Sequence, residues 1–136
     1  MARAGFGDLK IEFDNAAASL VDMSTYITTV NGMEREALLQ ELTAAGDDDE
    51  RWGIVGVNKV APITLSGFFD DTASTGPDVI FNAIGNATTR TIKFTWGGTK
   101  TSSVETIIRK YMRKPTRGEL TGFEVELQPT GIVTEV

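Results

Sequence analysis

The sequence contains neither cysteine nor histidine among its 136 residues. Without cysteine the chain has no disulfide, no thiolate metal site and no cysteine nucleophile. Without histidine it lacks the commonest general base, the Ser-His-Asp triad and most zinc sites. No two carboxylates stand out as an acid–base pair of the glycosidase type. The sequence therefore predicts a protein that is not an enzyme, with no metal ion and no cofactor.

Long apolar runs are also missing, since no stretch approaches the ~18 apolar residues of a membrane span. Residues 1–10 lack the apolar stretch of a secretory signal peptide. We therefore expect a soluble domain that is made inside the cell and does not insert into a membrane. The length suits a single domain, residues 1–136, with one core.

The charge balance is acidic, with a net charge of −6, which argues against clinging to nucleic acid or anionic membranes. Residues 1–58 carry 4 basic and 11 acidic side chains, whereas residues 89–136 carry 8 basic and 5 acidic ones. Copies of such a chain can attract one another head to tail. The simpler alternative is that both ends are solvated.

Residues 122–128 alternate strictly between apolar and polar side chains, which predicts a strand with one buried and one wet face. The apolar face holds Phe123, Val125 and Leu127, and the polar face holds Glu124, Glu126 and Gln128. Similar patterns predict strands at 9–13, 60–69, 89–96 and 103–114, with a hairpin turn at 97–98. Residues 75–86 predict the clearest helix. The fold class is mostly β, a sandwich or partial barrel with one helix.

Two neighbouring segments are harder to interpret. Residues 33–43 are rich in helix formers, so local propensity favours a helix. Residues 44–57 contain glycines and four consecutive acids, which predicts a long exposed loop. Long loops in compact domains are usually functional. The residues of interest in this loop are Asp47, Asp48, Asp49, Glu50, Trp52, Ile54 and Val55.

Three motifs invite a functional reading and fail on spacing or context. GGTKTS at 97–102 is not a phosphate-binding loop, because Thr99 separates the glycine from the lysine. Four adjacent acids at 47–50 do not match the alternate spacing of an EF-hand loop. RKYMRK at 109–114 mixes basic and aromatic residues as some nucleic-acid surfaces do, but it lies on an acidic chain.

Four stretches, in order, resemble the tail tube (major tail) proteins of long-tailed bacteriophages. They are LVDMSTYITTVNG at 20–32, ELTAAGDDDERWGIVGV at 41–57, ITLSGFFDD at 63–71, and FEVELQPTG at 123–131 with the IVTE that follows. Together they cover nearly the whole chain. The resemblance implies a structural virion protein whose sheets join into a shared barrel in a hexameric ring. It also implies a strand, not a helix, at 33–43.

In that family, rings stack into a hollow tube that carries double-stranded DNA out of the capsid without binding it specifically. The implied partners are other copies of the chain and the tape measure, tail terminator and tail tip proteins. The implied location is the virion tail, assembled in the bacterial cytoplasm. On this reading the exposed strand edges, for which 33–43 and 103–114 are the candidates, are covered only in the oligomer.

Two sets of site residues follow from this reading. We expect the acidic loop to reach a neighbouring subunit or ring and to meet a basic strand, with Trp52, Ile54 and Val55 as apolar anchors. The basic residues are Arg109, Lys110, Arg113, Lys114 and Arg117. We expect Glu124 and Glu126, with Thr64 and Ser66, to face the lumen as a negative or neutral wall that repels phosphate. The alternative is that these residues face outside solvent.

Two other kinds of protein remain possible at this point. One is a monomeric ligand-binding β-sandwich. The other is a different tube-related component, such as a tail terminator or the tube protein of a secretion system. Assembly of the purified protein distinguishes them, because a terminator caps growth and a binding module stays monomeric.

Overall fold

The computed structural model describes residues 5–71, 76–85 and 87–136. Within these ranges the chain forms ten β-strands, one short α-helix and one 3-10 helix. The strands are β1 (Lys10–Asp14), β2 (Leu20–Asp22), β3 (Ile27–Asn31), β4 (Arg35–Glu41), β5 (Trp52–Val60), β6 (Ile63–Phe68), β7 (Arg90–Trp96), β8 (Lys100–Lys114), β9 (Gly122–Pro129) and β10 (Thr134–Glu135). The helices are the 3-10 helix Phe6–Asp8 and α1 (Asp78–Phe81).

Eight strands form one antiparallel sheet in the order β2-β1-β7-β8-β9-β6-β3, with β10 added beside β8. The long strand β8 connects the two halves of the sheet. Its first part pairs with β7, starting with Lys100 opposite Trp96, and its last part pairs with β9, ending with Lys114 opposite Gly122. Residues 107–114 of β8 have β9 as their only strand partner in the described chain. This half of β8 therefore has one open edge, whereas residues 103–106 of the segment expected to be open are paired with β7.

The core lies on one face of this curled sheet. In β9, Phe123, Val125 and Leu127 are buried, as the alternation predicts, and Ile63 and Leu65 of β6 lie beside them. These side chains belong to a single buried cluster with residues of the other strands and of α1. The structure confirms the predicted mostly-β fold with one α-helix in the described ranges. Neither helix in those ranges has the length and apolar character needed to cross a bilayer.

A glycine is required where β3 meets β6. Gly67 lies opposite Ile27, and a Cβ atom at this position would overlap the carbonyl oxygen of Tyr26. The register of the two strands also shifts between Ile27 and Thr29. The chain can approach this closely because glycine has no side chain.

Two predicted elements have different bounds in the structure. The helix expected at 75–86 is short, because α1 covers only Asp78–Phe81 and turns follow up to Gly85. The two outer residues of that prediction, 75 and 86, lie outside the described residues. The strand expected at 60–69 begins at Ile63. Pro62 lies between β5 and β6 and has no N–H to donate to a sheet.

The strand implied at 33–43 is confirmed, whereas the long loop predicted at 44–57 is wrong. Strand β4 pairs with β5 in a separate two-stranded sheet, which places Trp52, Ile54 and Val55 in a strand. The connecting loop is residues 42–51. The β-branched residues Ile54, Val55 and Val57 favour a strand in spite of Gly53 and Gly56. We call β4, loop 42–51 and β5 together the arm.

Candidate assembly interface

The arm is apolar and exposed. A two-stranded hairpin is marginally stable by itself in water. None of the buried core residues lies between residues 34 and 62, so the arm adds nothing to the core. Large contiguous apolar surfaces of this kind mark contacts with other proteins. The exposed apolar side chains of the arm are Leu38, Leu39, Leu42, Trp52, Ile54, Val55 and Val57.

Both outer edges of the arm are open. In the described chain β4 pairs only with β5, and β5 only with β4. Unpaired N–H and C=O groups along a strand edge are a template for pairing with another chain. The arm therefore offers a second copy both apolar side chains and backbone hydrogen-bonding groups.

The loop at the tip of the arm is held by its own contacts. The Asp47 carboxylate accepts a hydrogen bond from the amide of Ala44 at 2.7 Å and lies 3.6 Å from the Arg51 guanidinium. The Trp52 indole N–H donates to the Glu50 carboxylate. Asp48 and Asp49 are exposed and have no hydrogen bond or ion pair within the described residues. The loop thus presents two free carboxylates on an ordered turn.

The four residues predicted to face the lumen lie together on one surface. Thr64 lies opposite Glu126 and Ser66 opposite Glu124 in the β6–β9 pairing, on the side of the sheet away from the core. Beside them, a register shift in β8 between Ile108 and Lys110 changes which side chains face this surface. We call this surface the polar face; it consists of Thr64, Ser66, Arg109, Lys110, Lys114, Glu124 and Glu126.

Cations balance both glutamates of the polar face. Arg109 Nη1 donates to Glu126 Oε1 at 2.7 Å, and the Lys114 ammonium donates to the Glu124 carboxylate. This hydrogen bond, together with the charge of Lys114, lowers the pKa of Glu124 below its ordinary value of 4.5. Lys110 lies directly opposite Glu126. With three cations and two glutamates the face carries a balance of +1, whereas the sequence predicts a negative or neutral wall.

The five predicted basic residues do not form a single surface. Arg109, Lys110 and Lys114 belong to the polar face, whereas Arg117 lies in the turn after β8. Arg113 contacts the other side of the sheet, where its guanidinium lies 3.0 Å from the Asp78 carboxylate and 4.5 Å from the centre of the Phe69 ring. Three of the five cations are thus already paired within the chain.

The sequence interpretation missed Arg90, which is buried with only 8% of its surface exposed. Its position carries a signal that was available, because Arg90, Ile92 and Phe94 occupy the same inward-facing alternate positions of β7. A charged residue in such a position is rarely buried without a partner. This residue is the least expected feature of the core.

Known proteins were compared with the chain. No protein-family model matches the sequence, and no curated protein matches it. Solved structures do match. One is the tail of an empty gene transfer agent particle, refined with C6 symmetry, with a TM-score of 0.79, 13% identity and 99% of each chain covered.

Two further structures are similar over most of their length. The SPP1 tail tube has a TM-score of 0.73 and 15% identity, with 98% of this chain and 78% of that chain covered. The tube-terminating cap of the anti-feeding prophage has a TM-score of 0.70 and 15% identity, with 100% and 92% covered. These likenesses show that the chain has the fold of tail tube proteins, which confirms the fold that the resemblance implied.

Proposed function

We propose that the chain is a structural, non-enzymatic subunit of a phage-type tail. Six copies form a ring, and rings stack into a hollow tube through which double-stranded DNA passes. The observation that carries this proposal is the arm, which is folded, apolar, open at both edges and separate from the core. A second copy of the chain is the occupant that covers it.

The comparisons support the choice of assembly. The tail of the gene transfer agent particle has C6 symmetry, and the SPP1 protein forms a tail tube. The charge asymmetry of the present sequence favours head-to-tail contacts, which generate stacks, over self-complementary ones, which close a dimer. The open half-edge of β8 at residues 107–114 is a place where the sheet can continue into a neighbouring subunit.

The polar face suits the inner wall of the tube. Duplex DNA is held by lysine and arginine side chains that neutralise phosphates and release counterions. On this face Arg109 and Lys114 are occupied by Glu126 and Glu124, so fewer cations are available to phosphate. Thr64 and Ser66 add neutral polar groups. Lys110 is the one cation of this face without an ion pair in the described residues, so we expect the wall to hold the duplex only weakly and DNA to slide along it.

The protein is then a component of the virion, assembled in the bacterial cytoplasm from its own copies. Tape measure, terminator and tail tip proteins are the proposed partners inside the tube and at its two ends. The likeness to a tube-terminating cap supports the idea that proteins of one fold close the ends of such tubes.

Shortening the arm tests the proposal. Residues 38–57 are replaced by Asn-Gly, which joins the cross-strand partners Ala37 and Asn58 through a two-residue turn. Because the core is untouched, we expect a folded monomer whose thermal unfolding is as cooperative as that of the wild type. We expect it to form no rings or tubes by sedimentation or negative-stain microscopy. Tubes of normal length from this variant would contradict the proposal.

A tail terminator is the second candidate, favoured by the likeness to the anti-feeding prophage cap. A terminator forms single rings and stops growth, whereas a tube protein forms long stacks. A tube protein of a secretion system remains a related alternative that shares the same assembly. A ligand-binding monomer would stay monomeric at every concentration and would leave the apolar arm uncovered.

A further inference from the structure

Arg90 lies at the start of β7 with its side chain on the core side of the sheet. Its backbone is fixed, because it lies opposite Thr106 and its carbonyl oxygen accepts the Thr106 hydroxyl at 2.9 Å. Arg90 is 8% exposed, and its Nε atom has no hydrogen-bond partner. It forms no ion pair with any carboxylate of the described chain. A buried Nε–H that lacks a hydrogen bond, on a cation with no opposing charge, is costly.

The side chain borders a cavity at the surface. This cavity has a volume of about 370 Å³ and is lined by Arg90 together with Asn15, Ala16, Ala17, Asp78, Val79 and Asn82. The side-chain amides of Asn15 and Asn82 can donate hydrogen bonds, so the cavity combines a positive charge with neutral donors. This is the donor set that recognises a carboxylate.

The carboxylates nearest to this cavity are already engaged. Asp78 also lines it but binds Arg113. Asp14 lines a smaller adjoining cavity and accepts the amide of Thr91 at 3.0 Å. Neither neutralises Arg90.

We propose that this cavity receives a side-chain carboxylate, Asp48 or Asp49, from the arm tip of a second copy of the chain. These two acids are exposed and unpaired on an ordered loop, and Arg90 is a buried cation whose Nε lacks a hydrogen bond and which has no ion pair in the described chain. The pairing deepens the proposed function and rests on it, because it names the contact through which one copy holds the next. Arg90, and not the basic residues of β8, is then the partner of the acidic loop, because most of those basic residues are already paired.

The positions of the two parts suit a head-to-tail contact. The base of the arm lies near β10, because Met33, Arg35 and Glu135 line one cavity. Glu135 pairs with Ser102 of β8, whereas Arg90 pairs with Thr106. Four residues along a strand separate these levels by roughly 13 Å. The base of the arm and the Arg90 cavity therefore lie at different levels of the β7–β8 pair, which is compatible with a repeating, non-closing contact.

A peptide titration tests the cavity without requiring a tube. The probe is a synthetic peptide of residues 43–52, added to the full-length protein at a concentration below assembly and followed by NMR. We expect saturable shifts of the Arg90 Nε–H and of the amides of residues 16–17. A control peptide with asparagine at positions 48 and 49 should bind at least about fivefold more weakly. Absence of these shifts, or equal binding of the control peptide, would overturn the proposal.

A free carboxylate is distinguished by titrating sodium acetate in the same way. Acetate that saturates the cavity as tightly as the peptide would overturn the assignment of the arm as occupant, since the cavity would then be a site for small carboxylates. Acetate that binds far more weakly than the peptide supports it.

Assembly provides the second measurement, as the critical concentration for sedimenting tubes. Arg90→Met and the double variant Asp48→Asn/Asp49→Asn should each raise it by about tenfold. Combining all three changes should also raise it by about tenfold, not about a hundredfold, because both sets remove the same contact. Arg117→Met is the matched control and should assemble as the wild type does. Independent, multiplying effects would overturn the pairing.

The two measurements separate failure of the pairing from failure of the proposed function. A wild-type protein that forms no tubes contradicts the tube, and the peptide titration then still decides whether the cavity takes the arm tip. The Arg90→Met monomer should unfold at the wild-type temperature or above it, because the variant removes an unpaired buried charge. Loss of the folded monomer in this variant would overturn the premise that Arg90 has no partner within its own chain.

Discussion

Replacing Ile54 by serine should weaken assembly and leave the monomer intact. Ile54 is the most exposed apolar residue of the arm, with 72% of its surface free, and it lies opposite Leu39 in the hairpin. If a second copy covers the arm, this surface is buried in the tube and becomes exposed to water again when the tube dissociates. The variant therefore removes apolar burial from the assembled state alone.

The size of the effect follows from the exposed surface. Full burial of an isoleucine side chain is worth roughly 1.5–3 kcal/mol. Since 72% of Ile54 is available for burial by a neighbour, the loss is about 1–2 kcal/mol for each subunit contact. A difference of 1.4 kcal/mol is tenfold in an equilibrium constant. The critical concentration for assembly should therefore rise by roughly fivefold to thirtyfold.

Leu120→Ser is the matched control, because Leu120 is 73% exposed and lies in the turn between β8 and β9, outside the arm. Sedimentation at a series of protein concentrations measures the effect, with thermal unfolding of the dilute protein as the test of folding. Ile54→Ser tubes that form at the wild-type concentration would refute the reasoning. So would an equal loss of assembly in Leu120→Ser.

Two further predictions concern the polar face and the sheet. Replacing Glu124 and Glu126 by glutamine frees their cations, so these tubes should co-sediment with short duplex DNA in a salt-dependent way. Tubes of the Glu119→Gln control should not co-sediment with the DNA. Equal DNA binding by both kinds of tube would contradict the location of the polar face on the inner wall. Gly67→Ala should lower the free energy of unfolding by several kcal/mol, of the order of the larger single-residue effects, because a methyl group there overlaps backbone. Gly131→Ala, with open space around its Cα, should change it little.

The main sheet could be predicted from the sequence because its strands have one buried and one wet face. Alternation at 122–128 and 89–96 follows directly from that burial, and the structure gives the same faces. The arm could not be found this way. Every residue of β4 is exposed in the single chain, so packing on the core imposes no alternation there, and local propensity at 33–43 indicates a helix instead. Only the family resemblance identified the strand.

The candidate site was predicted in part. The cross-strand grouping of Thr64 and Ser66 with the two glutamates follows from simple alternation. The pairing of Arg109 with Glu126 does not, because a register shift in β8 changes the phase of the alternation, and such irregularities leave no clear mark in a single sequence. The burial of Arg90 could have been predicted, because it is a charged residue at an inward-facing position of an alternating strand.

Cryo-electron microscopy of the purified, assembled protein tests the central claim most directly. We predict stacked rings with sixfold symmetry around an open lumen, in which Glu124 and Glu126 line the inner wall and each arm contacts the adjacent ring. A monomer at every concentration, or an assembly without a lumen, would contradict the account.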